Sequence, residues 1–213
     1  DKPLMRNVIA DLEVETEAAT SMMARLAGAF DRAEADPAEA AIKRIALPIA
    51  KYWVTKRASE TVREALECLG GNGYVEESIM PRLYRESPLN AIWEGSGNVI
   101  ALDVLRAAGR SPESVDVLVA ELRASSGADR RLDRAIEKVA GSFVSSPDLE
   151  MEARRLVERF ATVWAASLLA RQDDDAFAAY AVSRLDGDHG ALFGTLPSSV
   201  VTGDMVSRAV PQP

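Results

Sequence analysis

Cysteine and histidine are nearly missing from this chain: Cys68 and His189 are the single examples in 213 residues. One cysteine excludes an internal disulfide framework and fits a reducing compartment. One histidine excludes any metal or catalytic centre that needs two, and no metal site is expected. No apolar run reaches the ~18 residues that a membrane helix requires. The chain opens Asp1-Lys2-Pro3, without a basic and apolar leader, so a cytoplasmic location is the expectation. Positive charge is also short, with 33 acidic against 25 basic residues and a net charge of −8. General affinity for nucleic acid through bulk charge is therefore disfavoured. Strand-like alternation, internal repeats and low-complexity tracts are absent, so no sheet is expected.

What remains is rich enough to fold. Hydrophobic residues make up 47% of the chain and charged residues 27%, which supports a sizeable core and excludes a disordered chain. The length suits one full domain or two small ones sharing an interface.

The apolar residues recur at helical spacing. Leu4, Val8, Leu12, Ala19, Met22, Met23, Leu26 and Phe30 predict a first helix on the order of 45 Å long, with Asp1 as its cap and Pro3 in its first turn. Asp36-Pro37-Ala38-Glu39 announces a second: a cap, a first-turn proline and a glutamate spaced to reach back to the cap. Ile42, Ile45, Ile49, Trp53, Val62, Leu66 and Leu69 mark its apolar face, and Pro48 predicts a kink within it. A short connection makes the two an antiparallel pair. Residues 70–98 read differently, as an irregular Gly-rich segment loaded with Tyr74, Arg82, Tyr84, Arg85, Trp93 and Glu94. Such a segment on a rigid scaffold is a candidate site. A helix is expected from about Ser96 to Ala107. Shorter amphipathic helices follow near 112–124, 128–143, 147–171 (opened by Ser146-Pro147-Asp148) and 174–185. Phe143, Leu149, Leu156, Phe160, Val163, Trp164, Leu168, Phe177, Tyr180 and Leu185 would supply a second core. Beyond Gly187 the pattern fades.

Three blocks in fixed order carry a family signature. Leu69-Gly70-Gly71-Asn72-Gly73-Tyr74 resembles the LGGxGY segment of acyl-CoA dehydrogenases. Pro81-Arg82-Leu83-Tyr84-Arg85-Glu86 and Ile92-Trp93-Glu94-Gly95-Ser96 continue the match at the family's spacing. The resemblance covers residues 1–107. The run Asn90-Ala91-Ile92-Trp93-Glu94-Gly95-Ser96-Gly97-Asn98-Val99 is similar to the AidB-like, adaptive-response branch. That branch carries extra C-terminal helices, and a lineage of it is associated with DNA binding and protection against alkylation damage.

The resemblance implies an all-α antiparallel bundle over 1–107, extended by a helical segment over 108–213. It implies FAD as cofactor, an acyl-CoA of fatty acid metabolism as substrate, and a homo-oligomer, a dimer or a tetramer. Glu94 takes the place of the base that removes the α-proton of the thioester while a β-hydride passes to flavin. Flanking Ile92 and Trp93 would keep its carboxylate away from water. Gly70, Gly71, Gly73, Trp93, Ser96 and Asn98 fall at cofactor-binding positions, and Tyr74 and Gly95 at substrate-binding ones. In the family the LGGxGY turn lies near flavin contributed across a subunit interface. The same residues have plainer readings that stay open: Ser96 as a helix N-cap, and the glycines as helix stops.

Other residues read as structure. Arg82 and Arg85 stand close to Glu76, Glu77 and Glu86 and suit an internal ion-pair network. Trp53 and Trp164 suit a core, Met5, Met22 and Met23 suit packing, and Cys68 suits a buried, inert thiol. Arg130, Arg134 and Lys138 form a basic stripe, but Asp129, Asp133 and Glu137 interleave with it. A salt-bridged face is favoured there over a duplex DNA surface. The N-terminal helical domain, the middle β-domain and the Arg-x-x-Phe-Gly run of the family are not in this sequence. The chain is thus expected to be the C-terminal portion of a longer protein and inactive alone. The alternatives are a DNA-protecting flavoprotein of the AidB type, or an oligomerisation module only.

Overall fold

The two long helices expected at the start are the frame of the fold. In a computed structural model, which describes residues 2–142, 148–172 and 175–209, α1 spans Pro3–Arg32 and α2 spans Pro37–Cys68. Each begins with a proline, whose missing N–H falls where helix amides have no partner. The expected Asp1 cap and Phe143 lie outside the described residues, as do Ser146 and Pro147. Asp36 caps α2, its carboxylate accepting from the Ala38 amide at 2.8 Å. Glu39 does not reach back to that cap. It accepts from Arg25 at 2.8 Å and Arg32 at 3.1 Å instead, because charge-assisted bonds to guanidinium are stronger than one to an amide. α2 runs unbroken through Pro48.

Residues 70–98 are less irregular than their glycines suggest. After α2 come α3 (Gly71–Tyr74), α4 (Met80–Glu86) and a 3-10 turn (Ser87–Ala91). Then α5 (Gly97–Arg110), α6 (Pro112–Arg123), α7 (Arg130–Ala140), α8 (Ala153–Leu169) and α9 (Asp175–Tyr180) follow, and a π-helical turn (Ala181–Leu185) continues α9. α5 runs three residues past the expected Ala107, to Arg110. The tail holds two short elements that periodicity missed, a 3-10 turn (Ser198–Val200) and α10 (Gly203–Arg208), whose capping Thr202 hydroxyl accepts from the Met205 amide. No strand occurs among the described residues.

α1 and α5 each pack against α2 and α8, which also pack against each other, as an all-α bundle, with α6 laid on α2 and α7 on α8. The expected second core does not separate. Leu156, Phe160, Val163, Trp164, Leu168 and Tyr180 join Met22, Leu26, Ile42, Ile45, Ile49 and Val104 in one buried cluster. The second half of α8, Val163 to Leu169, is buried on every side, as a helix at the centre of a bundle must be, so it draws both sets of side chains together.

The buried side of α1 differs from the one its large side chains mark. Ala10, Asp11, Val14, Glu15, Ala18, Met22, Leu26 and Ala29 face inward, while Leu4, Met5, Met23 and Phe30 are exposed. The small residues let neighbouring helices approach closely, and the two buried acids meet arginines. Asp11 accepts from Arg184 at 2.5 Å and Glu15 from Arg57 at 2.9 Å. A second charged chain ties four helices: Glu39 to Arg25, Arg25 to Glu121 at 2.6 Å, and Glu121 to the buried Trp164 indole N–H at 2.9 Å.

Candidate active site

The segment between the 3-10 turn and α5 is a sharp elbow with Glu94 at its bend. Glu94 has φ 54° and Gly95 φ 114°. A left-handed conformation suits glycine but costs a glutamate about 1 kcal/mol or more. A Cβ at Gly95 would also crowd Ile100 Cδ1 at 2.8 Å. The amides of Ile92 and Trp93 both donate to Leu89 O, at 2.9 and 3.1 Å. From α2, Lys51 Nζ donates to Trp93 O at 2.9 Å and to Gly95 O at 2.6 Å.

The elbow presents Glu94 to a cleft of about 660 Å³ whose apolar wall is Leu47, Pro48 and Ile100. Among the described residues the Glu94 carboxylate has no hydrogen-bond or ion-pair partner. Its expected desolvation by Ile92 and Trp93 is not seen: Ile92 is 60% and Trp93 56% exposed, and Glu94 is exposed with them. The elbow turns these side chains outward rather than over the carboxylate.

Ser96 and Asn98 stand at the start of α5. Ser96 occupies the N-cap position, with φ −70° and ψ 166°, but its hydroxyl makes no capping bond. That hydroxyl and the first amides of α5 therefore remain available. A second cleft of about 490 Å³ opens there, lined by Ser96, Asn98, Lys56 and Arg154 among others. Burial, then the charges of Arg154 and Lys51, holds the Lys56 ammonium below the usual lysine range. Lys56 comes close to Gly97, where a Cβ would lie 2.6 Å from its Cε and would push the end of that side chain aside.

The LGGNGY turn is elsewhere. Leu69, the C-cap of α2, lies 18 positions beyond Lys51, which at 1.5 Å per residue is ~27 Å. Gly70, Gly71, Gly73 and Tyr74 thus sit far along α2 from the elbow of the same chain. Their roles divide. Gly70 needs its φ of 59°, and a Cβ at Gly73 would strike Leu66 O at 2.2 Å, so both are demanded by the fold. Gly71 has nothing within 4 Å of a Cβ position, and Tyr74 is 78% exposed.

The remaining candidates resolve into structure. Arg82 pairs with Glu86 at 3.0 Å and Arg85 grips Glu76 through two bonds of 2.7 and 3.1 Å. Trp164 is buried, while Trp53 is partly buried with the Arg57 guanidinium over its ring. Met22 is in the core, unlike Met5 and Met23. Cys68 is half-buried rather than buried; burial, then Glu64 and Glu67, pushes its thiol up. On the basic stripe, Arg134 pairs with Asp186 at 3.3 Å and the neighbouring Arg131 with Asp129 at 2.7 Å. Sequence reasoning missed Lys51, Lys56 and Arg154. Two of these are ordinary lysines on a long helix, and the third comes from 56 positions beyond Asn98.

An all-α bundle whose site hangs on an E-G-S elbow and an LGGNGY turn defines a class. A profile of the family described as "Acyl-CoA dehydrogenase, C-terminal domain" matches residues 1–109, and the chain belongs to the acyl-CoA dehydrogenase family. Within it, the chain is 46% identical over 138 residues to the acyl-CoA dehydrogenase-named AidB of Escherichia coli (strain K12), covering 65% of this chain and 25% of AidB. It is 37% identical over 107 residues to acyl-CoA dehydrogenase family member 11 of Caenorhabditis elegans, covering 49% of this chain and 17% of that one. The fold matches the crystal structure of C. elegans ACDH-11 in complex with C11-CoA with a TM-score of 0.69, at 23% identity, over 98% of this chain and 35% of the other. The chain thus spans about a quarter of AidB's length.

Proposed function

We propose that this chain is the helical portion of a flavin-dependent oxidoreductase that dehydrogenates an acyl-CoA thioester between Cα and Cβ, with Glu94 as the base. The observation that carries the reading is the elbow: a glutamate held in a left-handed conformation, its carboxylate unpaired, over a cleft with an apolar wall. Strain of this kind is kept where geometry serves a task. A saturated thioester is a weak carbon acid, so its base must be placed before the substrate arrives. Glu94 accepts the α-proton, and the apolar wall excludes water from the acyl chain.

The residues present fit FAD. The free Ser96 hydroxyl, the exposed Asn98 and the uncapped amides of α5 offer donors, with Trp93 beside them. When bound, flavin supplies the acceptor for the β-hydride. Gly71 leaves backbone open to close approach, while Gly70 and Gly73 shape the turn that exposes it. Tyr74 and Gly95 face the substrate side. The ~27 Å along α2 separates that turn from its own chain's elbow, so the turn serves the site of a second copy. Tyr74, Ile79, Tyr84, Leu89, Ile92 and Trp93 are exposed, and a second copy covers them in this reading, which light scattering should report as a dimer or tetramer. In this reading residues 108–213 extend the 1–107 bundle, with α8 delivering Arg154 to the cofactor cleft.

The test is Glu94→Gln in the whole protein. Dehydrogenation of an acyl-CoA should fall by about 10²–10⁴-fold, with flavin absorbance still bound after gel filtration. An unchanged rate rejects the base assignment. The alternative reading of the chain as a DNA-protecting surface is opposed by its net charge of −8 and by the pairing of Arg134, on the basic stripe, with Asp186. It predicts salt-sensitive binding of duplex DNA by this chain, and the present account predicts none at low salt.

A further inference from the structure

Two residues in succession, Glu94 and Gly95, hold positive φ angles. Neither lies in a helix, and no backbone hydrogen bond closes the bend between them. The peptide planes on either side, 93–94 and 95–96, turn their carbonyls toward the same point. Two converging carbonyl dipoles repel unless a donor lies between them, and a cation is the strongest such donor. Lys51 Nζ occupies that point, donating to Trp93 O at 2.9 Å and Gly95 O at 2.6 Å.

We propose that Lys51 is the positioning residue of the site: its ammonium clamps the two carbonyls that flank Glu94 and so aims the Glu94 carboxylate into the cleft. The proposal rests on the reading of Glu94 as base. Rotation of φ or ψ at either residue of the bend would pull one carbonyl off the ammonium, so one side chain locks both. α2 is a rigid platform for it, since Ile49, Ala50 and Tyr52 beside Lys51 are buried. The ammonium spends two of its three N–H donors on the carbonyls. It forms no ion pair with Glu94 among the described residues. The carboxylate is thereby held in place through backbone and left free to take a proton. A lysine that bonded the carboxylate directly would disable it as a base. Its long stem also suits the task better than arginine, because a compact ammonium can sit between two oxygens that a planar fork would straddle.

The test separates this role from mere stability and from the role of Glu94. Lys51→Met keeps the stem and removes the donors. By hydrogen exchange on the whole protein, amides of 92–97 should exchange on the order of 10-fold faster, while those of α1 and of α2 near Ile45 stay unchanged. In the flavin-loaded enzyme kcat should fall by about 10²-fold with KM within about twofold, flavin should remain bound, and Lys51→Arg should recover part of the loss. Unchanged exchange at 92–97 overturns the proposal, and so does acceleration spread evenly over the chain. Should Lys51→Met not fold, ¹⁵N NMR of the unmutated protein decides. A slowly exchanging Lys51 ammonium coupled to the Trp93 and Gly95 carbonyls supports the clamp, and a rapidly exchanging one overturns it. The exchange result stands whatever Glu94→Gln does to the rate, so failure of the clamp and failure of the base are told apart.

Discussion

At the scale of single residues, glycines show how one residue type serves opposite ends. Gly73 and Gly71 belong to the same short helix, yet a methyl group at Gly73 would run into backbone 2.2 Å away and one at Gly71 meets nothing. Gly73→Ala should therefore destabilise the fold by about 1–3 kcal/mol, read as a lower midpoint in denaturant. Gly71→Ala should leave the midpoint unchanged or slightly raised and instead weaken flavin retention in the whole protein. If Gly71→Ala binds flavin like the parent, Gly71 is not at the cofactor. The motif made this turn legible as a candidate site before any geometry was known. It could not say which glycine answers to packing, because that depends on where Leu66 O lies. Glu94 was legible in the same way. Its left-handed backbone was not, nor was its exposure, since both come from how the elbow leaves the 3-10 turn.

At the scale of elements, the two long helices, their proline starts and the helix after the elbow follow from periodicity and capping. The inward side of α1 does not. Leu4, Met23 and Phe30 advertise one side, while Asp11 and Glu15 lie on the buried one, and a carboxylate inside a core is intelligible only once its arginine is known. Arg184 is 173 positions from Asp11 and comes from a π-helical turn. Its side chain is 9% exposed and that of Asp11 2%, so this pair is shielded from solvent. Arg184→Met removes the ion-pair partner of the buried Asp11, while Glu15 keeps Arg57, and the uncompensated Asp11 should cost about 3–5 kcal/mol. The double variant Asp11→Asn with Arg184→Met should lose less than Arg184→Met alone. Equal losses in the two, by chemical denaturation, would show that the pair contributes no specific tie. α10 escaped notice for a related reason: six residues are too few for periodicity to register, and burial of Met205 against α1 holds it there.

At the scale of the whole molecule, charge links stability to pH through one group in particular. Burial, then the hydrogen bond and charge of Glu17, pushes Glu13 up from 4.5 to about 7, against the opposing charge of Arg208. A carboxyl raised on folding binds its proton more tightly in the native state. Its contribution is fully present below pH ~4.5 and is lost as pH rises through ~7. Stability should thus decline between those values by an increment that Glu13→Gln abolishes, measured as the denaturation midpoint against pH. The same decline in both proteins would place its origin elsewhere. Glu17 also pairs with Arg208 of α10 at 2.6 Å, so the tail is the region where the loss should be felt first.

The account turns on Glu94 as a base, and isotope exchange reads that step without waiting for full turnover. The whole flavin-loaded protein, given an acyl-CoA in D₂O, should wash deuterium into Cα, and Glu94→Gln should lose that exchange while still binding the thioester. Deuterium entering Cα at the parent's rate with Glu94→Gln would contradict the central claim.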